Sequence, residues 1–321
     1  MSNRRVPDPS LPTTARRPAR HPGLVAAWAL AMAAILAACG GAASPSPAPS
    51  VGATPGPTTT PEGSPPIDHA TGARDVVLRF DEGGGFVAPS FLAVQVPYFS
   101  LYGDGTVIYR PAAEPPIEQM QGDPLRFPPL HVARMTEPQV QDLLRFGLVD
   151  GGLALARASY ENQMVADAPT ATFTVRAGGL DKTVSVYALG MEAEPGPDSA
   201  IRKQMATLGE RLRAFDAEVA AGRATEVGRY APDRFRATLF ESGGALTQPR
   251  NWPWPTFGPD AFAQPPAGQF GLPSRVVSGL EAGMVRVKEI AGGASGISVV
   301  APNGGKVYEL GLRPLLPDEV R

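Results

Sequence analysis

Residues 99–109 read Phe-Ser-Leu-Tyr-Gly-Asp-Gly-Thr-Val-Ile-Tyr. Phe99 and Leu101 precede the Gly103-Asp104-Gly105 triplet and Val107 and Tyr109 follow it, each pair two residues apart. That spacing places side chains on one face of a strand. Two such runs around a glycine-rich triplet predict a β-hairpin, with Asp104 serving the turn backbone. The pattern recurs at 170–176 and 182–188, where Phe173, Val175, Val184 and Val186 alternate about Gly178-Gly179. A third hairpin joins 296–301 to 306–312 across Pro302-Asn303-Gly304-Gly305. Single strands are expected at 75–80 and 234–241.

Between the hairpins the period changes. Thr136 and Gln139 form a capping-box pattern with Pro138 in the first turn, and Val140, Leu143, Leu144 and Leu148 mark one helical face ending near Gly151. At 199–221, Ile201, Met205, Leu208, Leu212, Phe215 and Val219 fall at steps of three and four, one apolar stripe at the helical period. Arg202, Lys203, Glu210, Arg211 and Glu218 are assigned to its other faces, and the stripe itself to core. A short helix is expected at 274–282. Hairpins with helices to one side give an α+β fold, with antiparallel hairpins forming one or two sheets and two main helices packed on one side. About 250 residues can bury roughly 70% of their unfolded surface, enough for a core. If the region divides into two lobes, the boundary falls near 222.

Glycine and proline each number 36, together 72 of 321 residues, and charged residues make up 19%. This composition excludes a coiled coil, a charge-driven disordered chain and a polytopic membrane protein. A net charge of −2 argues against an electrostatic nucleic-acid partner. With one cysteine, no intrachain disulfide or cysteine cluster can form.

That cysteine closes a distinct amino-terminal pattern. Arg4, Arg5, Arg16, Arg17 and Arg20 face a single acid, Asp8, and an uncharged apolar run follows from Leu24 to Ala38. A basic segment, an apolar segment of about 15 residues and small residues at its end make a secretory signal, too short for a membrane span of about 20 residues. Leu36-Ala37-Ala38-Cys39 resembles the bacterial lipobox. The resemblance implies cleavage before Cys39, diacylation of its thiol and a lipid-anchored chain facing the extracytoplasmic side of the cell membrane. Residues 1–38 would then be a signal peptide, and 39–71 the lipidated cysteine with a tether of Pro, Ser, Thr, Gly and Ala. Extended at about 3.1 Å per residue, its proline-rich stretch 40–66 reaches on the order of 80 Å. Residues 72–321 form the globular region.

The hairpin residues Phe99, Leu101, Tyr102, Asp104, Gly105, Val107 and Tyr109, the helix near Val140, and Asp167-Ala168-Pro169-Thr170 resemble extracytoplasmic lipoproteins of bacteria with arginine-rich proteomes. Four lysines against 25 arginines agree with that background. The resemblance implies fold and location and carries no site residue, because no activity is assigned to those proteins.

Catalytic patterns are missing. His69 reads as part of the tether, leaving His131 with a fixed setting, and Val132-Ala133-Arg134 after it excludes a His-Glu-x-x-His zinc site. No Gly-x-Ser-x-Gly elbow is present. Asp81, Glu82 and Asp104 are the carboxylates open to pairing. The sequence therefore implies no cofactor, no metal and no catalytic residue. Trp252-Pro253-Trp254-Pro255 sets two large rings on a stiff extended segment, followed by Phe257, Phe262 and Phe270. Such rings pin a long loop to a core or offer stacking area to a glycan or a proline-rich peptide. Trp252 and Trp254 are the candidate contacts for a ligand or an envelope partner. The expected role is a non-enzymatic binding module; the alternative is an envelope hydrolase with carboxylates in a cleft near the 242–271 loop.

Overall fold

A computed structural model describes residues 65–320 except 113, 115, 116, 119, 192–195, 246, 269 and 270. The proposed signal, Cys39, most of the tether and Phe270 lie outside the described residues.

The chain begins with β1 (Val76–Gly84), the short α1 (Pro89–Leu92), β2 (Phe99–Tyr102), β3 (Thr106–Tyr109) and β4 (Leu125–Arg126). Next come β5 (His131–Arg134), α2 (Glu137–Arg145) with a π-turn at Phe146–Asp150, β6 (Ser159–Tyr160), β7 (Pro169–Ala177) and β8 (Leu180–Tyr187). α3 (Ser199–Arg213), α4 (Phe215–Ala220), β9 (Thr225–Arg229), β10 (Arg234–Ser242) and β11 (Arg250–Asn251) follow. β12 (Ser274–Ser278), α5 (Gly279–Gly283), β13 (Ala294–Val300) and β14 (Val307–Pro314) complete it.

The fold is α+β with two antiparallel-rich sheets. The first runs β6-β8-β7-β1-β2-β3-β5-β9, and the second β11-β13-β14-β10-β12 with β4 paired to β13. All three expected hairpins form. Phe99 pairs with Tyr109, Phe173 with Val184, and Ile297 with Leu310. Gly105 (φ 79°) makes the first turn, and an added Cβ would collide with the Met135 carbonyl oxygen. Asp104 serves that turn as expected, accepting from the Thr106 N–H at 3.0 Å.

α2 and α3 cover one face of the first sheet. Val140, Leu143, Leu144, Met205, Leu208 and Leu212 join Phe80, Phe99, Leu101 and Phe173 in one buried cluster. The opposite face carries a smaller cluster containing Val76, Tyr102, Ile108 and Leu316. There the turn after β14 is fastened to β1. Arg79 donates to both carboxylate oxygens of Asp318 (2.7 and 3.0 Å), and the Tyr102 hydroxyl donates at 2.8 Å. Burial opposes ionisation of Asp318, but the Arg79 and Tyr102 hydrogen bonds and the Arg79 charge outweigh it and hold the carboxyl below its ordinary range.

Four expectations need correction. The helix expected at 199–221 breaks at Ala214 (φ −102°, ψ 43°). The second piece seats Phe215 against Phe99 and Tyr109, with ring centroids 4.9 and 5.2 Å apart. Arg202 and Glu218, placed on outer faces, are buried. Arg202 donates to the carbonyls of Tyr187 and Ala188, and Glu218 accepts from Arg211 and Arg223. The helix expected at 274–282 is strand up to Ser278, because Val276 and Val277 extend along β10; Ser278 then caps α5, accepting from the Glu281 N–H.

His69 was assigned to the tether, but it pairs with Ala177 in an antiparallel bridge, and its imidazole is only 3% exposed. Gln141 fixes the neighbouring Ile67 by accepting from its N–H (2.7 Å) and donating to its carbonyl (2.9 Å). Proline-rich composition around 65–70 hides this docking, since Ile67 alone supplies an apolar contact.

Candidate ligand-binding clefts

The second sheet is covered by the short helices α1 and α5 and by a long stretch of chain without regular structure. β11 lies parallel to β13, with Arg250 beside Val299 and Asn251 beside Val300. Pro253 ends that pairing, because it has no N–H to donate. The extended Trp-Pro-Trp-Pro segment then sends both indoles toward the sheet. Trp254 is fully buried among Phe235, Leu239, Phe262, Ile297 and Leu310. Trp252 is half-buried and packs against the same cluster.

Ring contacts knit the segment together. Trp254 stacks on Phe257 (5.0 Å, 23°) and meets Trp252 edge-on (5.4 Å, 79°), while Trp252 meets Tyr308 edge-on at 6.5 Å. Arg275 lies over the Phe257 ring at 4.3 Å. Both indole N–H groups are used internally, Trp252 donating to the Phe257 carbonyl (2.7 Å) and Trp254 to the Glu281 carbonyl (2.9 Å). The polar handles thus orient the rings, and the remaining surface of Trp252 is free for apolar or stacking contact.

Two clefts flank it. One, of about 710 Å³, lies between Trp252, Trp254 and Phe257 and the 300–304 turn of the β13–β14 hairpin. The other, of about 580 Å³, lies between Trp252 and Met284–Arg286, with Gln248, Arg250 and Asn251 on its wall. Trp252 lines both. Among the described residues, neither lining contains a carboxylate. Trp254 is core, while Trp252 serves core and surface together; the sequence alone left these two roles open for both rings.

The carboxylates singled out from sequence are not brought together. Asp81 and Glu82 lie toward the far end of β1, where Arg213 pairs with Glu82 at 3.1 Å. Asp104 sits in the turn after Tyr102, which pairs with Val76 at the near end, and bonds Arg134 at 2.8 Å. Five to six residue steps along β1 separate the two ends, about 16–20 Å at ~3.3 Å each, too far for a glycosidase pair.

His131 has a setting that the sequence did not disclose. Its Nδ1 lies 2.8 Å from Glu226 and its Nε2 3.2 Å from Glu114. Arg229 also donates to Glu114, at 2.9 Å. A carboxylate lies on each ring nitrogen, so His131 ties β5 and β9 to Glu114, and both nitrogens are taken up by these partners. Burial, with the Glu226 and Asp216 charges, pushes the adjacent Tyr109 hydroxyl up to about 12. The signal for this cluster was the β5–β9 pairing, which links residues about a hundred apart and has no local sequence mark.

Among the described residues, no group of three or more histidine, cysteine or acidic side chains could hold a metal ion, and no helix is long and apolar enough to cross a membrane. Comparison with known proteins gives no family model, no curated protein and no solved structure that matches the chain.

Proposed function

We propose that this chain is a lipid-anchored, extracytoplasmic binding module of the cell envelope, held by acylated Cys39 and taking its ligand or partner at the Trp252 clefts. The observation that carries the binding role is the half-buried Trp252 ring standing between two clefts without a carboxylate. A rigid ring offers contact area at low entropic cost, and carboxylate-free walls favour binding over carboxylate-driven hydrolysis. The Leu36–Cys39 lipobox supports the anchor, and two or more acyl chains give stable attachment.

The test uses the full chain in bacterial cells. Alkyne-palmitate should label the wild type, and Cys39→Ala should abolish labelling and leave an uncleaved precursor; normal labelling of that variant removes the anchor. A photocrosslinker at Asn303, on the rim of the larger cleft, should capture an envelope protein or glycan that the same crosslinker at Lys203 does not. Equal capture at both positions removes the binding role.

A further inference from the structure

The smaller Trp252 cleft continues into a hollow of about 320 Å³, and the two share Arg250 and Arg286. Arg126 and Lys288 complete a group of four cations there, facing two acids, Asp123 in the lining and Glu289 beside it. Arg126 draws on Asp123 at 4.0 Å and on Glu289 at 3.8 Å. Arg250, Arg286 and Lys288 have no carboxylate within ion-pair distance among the described residues. Elsewhere Arg79, Arg213, Arg229 and Arg313 each meet one. In a chain of net charge −2, a clustered positive wall runs against the overall balance.

The wall is also built to stay in place. Arg250 donates through one nitrogen to the carbonyls of Val285 and Arg286 (3.2 and 3.1 Å), tying β11 to the loop after α5. That loop holds two non-glycine residues in the left-handed region, Arg286 (φ 56°) and Glu289 (φ 54°). Strained backbone that persists in a structure marks a position where orientation matters. Here it fixes the base of the exposed Arg286 side chain at the mouth of both hollows.

On the reading that the Trp252 clefts bind a ligand, we infer that the ligand is an anionic glycan, a short oligosaccharide bearing carboxylate or phosphate groups. The Trp252 ring suits the apolar face of a sugar, and Gln248 and Asn251 offer neutral hydrogen bonds. The guanidinium groups of Arg250 and Arg286 suit the fork geometry of a carboxylate or phosphate, and Lys288 adds a point charge.

The test is titration of the purified full chain, followed by tryptophan fluorescence, with four probes: tetragalacturonate, maltotetraose, poly(glycerol phosphate) and inorganic phosphate. Tetragalacturonate should bind at least about tenfold more tightly than maltotetraose, and raising salt from about 50 to about 500 mM should weaken it about tenfold. Arg286→Gln/Lys288→Gln, both on exposed side chains, should reduce its affinity about tenfold with unchanged thermal stability. Preference for poly(glycerol phosphate), which carries no sugar ring, would overturn the glycan part and show that the wall reads phosphate alone. Equal binding of acidic and neutral sugars, inorganic phosphate binding as tightly as either polymer, indifference of the double variant, or no binding by any probe would each overturn it. Trp252→Ala separates this from the reading beneath it. If Trp252→Ala abolishes binding while the double variant does nothing, the cleft stands and the anionic class falls. If Trp252→Ala leaves binding intact, the cleft itself falls.

Discussion

The two sheets are covered in opposite ways. α2 and α3 lie over the first sheet, and each satisfies its own backbone hydrogen bonds while offering one apolar stripe. Over the second sheet lies a loop whose indoles donate to carbonyls because no ladder supplies partners. A helix tiles a sheet closely. A loop pinned by rings touches it only where a ring lands, and the clefts on both sides of Trp252 are the space between landings. Binding surface thus arises where regular structure gives out, on a scaffold that regular structure keeps rigid.

The strongest way to challenge this contrast is to remove one ring and one stripe residue. Trp254→Ala should destabilise by about 3–5 kcal/mol and Leu208→Ala in α3 by about 2–5 kcal/mol, since both side chains are fully buried. Urea denaturation should show a single transition for each, moved to lower midpoint; two separated transitions in Trp254→Ala would mean that the loop-covered sheet unfolds alone. Next in size is the fastening between the sheets. Asp318→Asn leaves the Arg79 guanidinium without its counter-charge and should cost about 1.5–3 kcal/mol. In the wild type the folded Asp318 carboxyl holds its proton less tightly than the unfolded one. Its stabilisation is therefore complete above the ordinary value of 3.8 and is lost as pH falls through the lower folded value. A variant matching the wild type in midpoint at pH 7, or in its loss of stability below about pH 4, would leave the fastening without energetic weight. The smallest effect belongs to Trp252→Phe, which keeps a ring but loses the bond to the Phe257 carbonyl, about 0.5–1.5 kcal/mol. A loss as large as that of Trp254→Ala would make Trp252 core alone.

What the sequence disclosed follows the same division. Period-two alternation around Gly105, Gly178-Gly179 and Gly304-Gly305 marked three hairpins, because a turn and its strands are neighbours in the chain. The 199–221 stripe marked α3, yet the break at Ala214 depends on where Phe99 and Tyr109 lie, and no local signal carries that. β5 and β9 are short and paired across about a hundred residues, so the Glu114–His131–Glu226 cluster stayed hidden. At the clefts, Trp252 and Trp254 were legible as large rings in a proline-stiffened segment. Their division into core and surface was not, since burial depends on the second sheet beneath them. The cations of the wall come from 126, 250, 286 and 288, three separate stretches that no motif joins.

The docking of 67–70 has a mechanical consequence. If the chain is anchored at Cys39 as proposed, any pull passes through this segment before it reaches the first sheet. The contacts that resist are few: the paired Gln141 bonds to Ile67, the His69–Ala177 bridge, the Asp68 carbonyl accepting from the Gly178 N–H at 2.7 Å, and the His69–Glu137 contact. A steady load would peel these away first and free residues 67–70. The load enters the β7–β8 hairpin at Ala177 and Gly178, and that hairpin is paired along eight residue positions. In an anchored chain, residues 67–70 would serve as a strain relief, giving way under tension while the rest of the sheet keeps its shape.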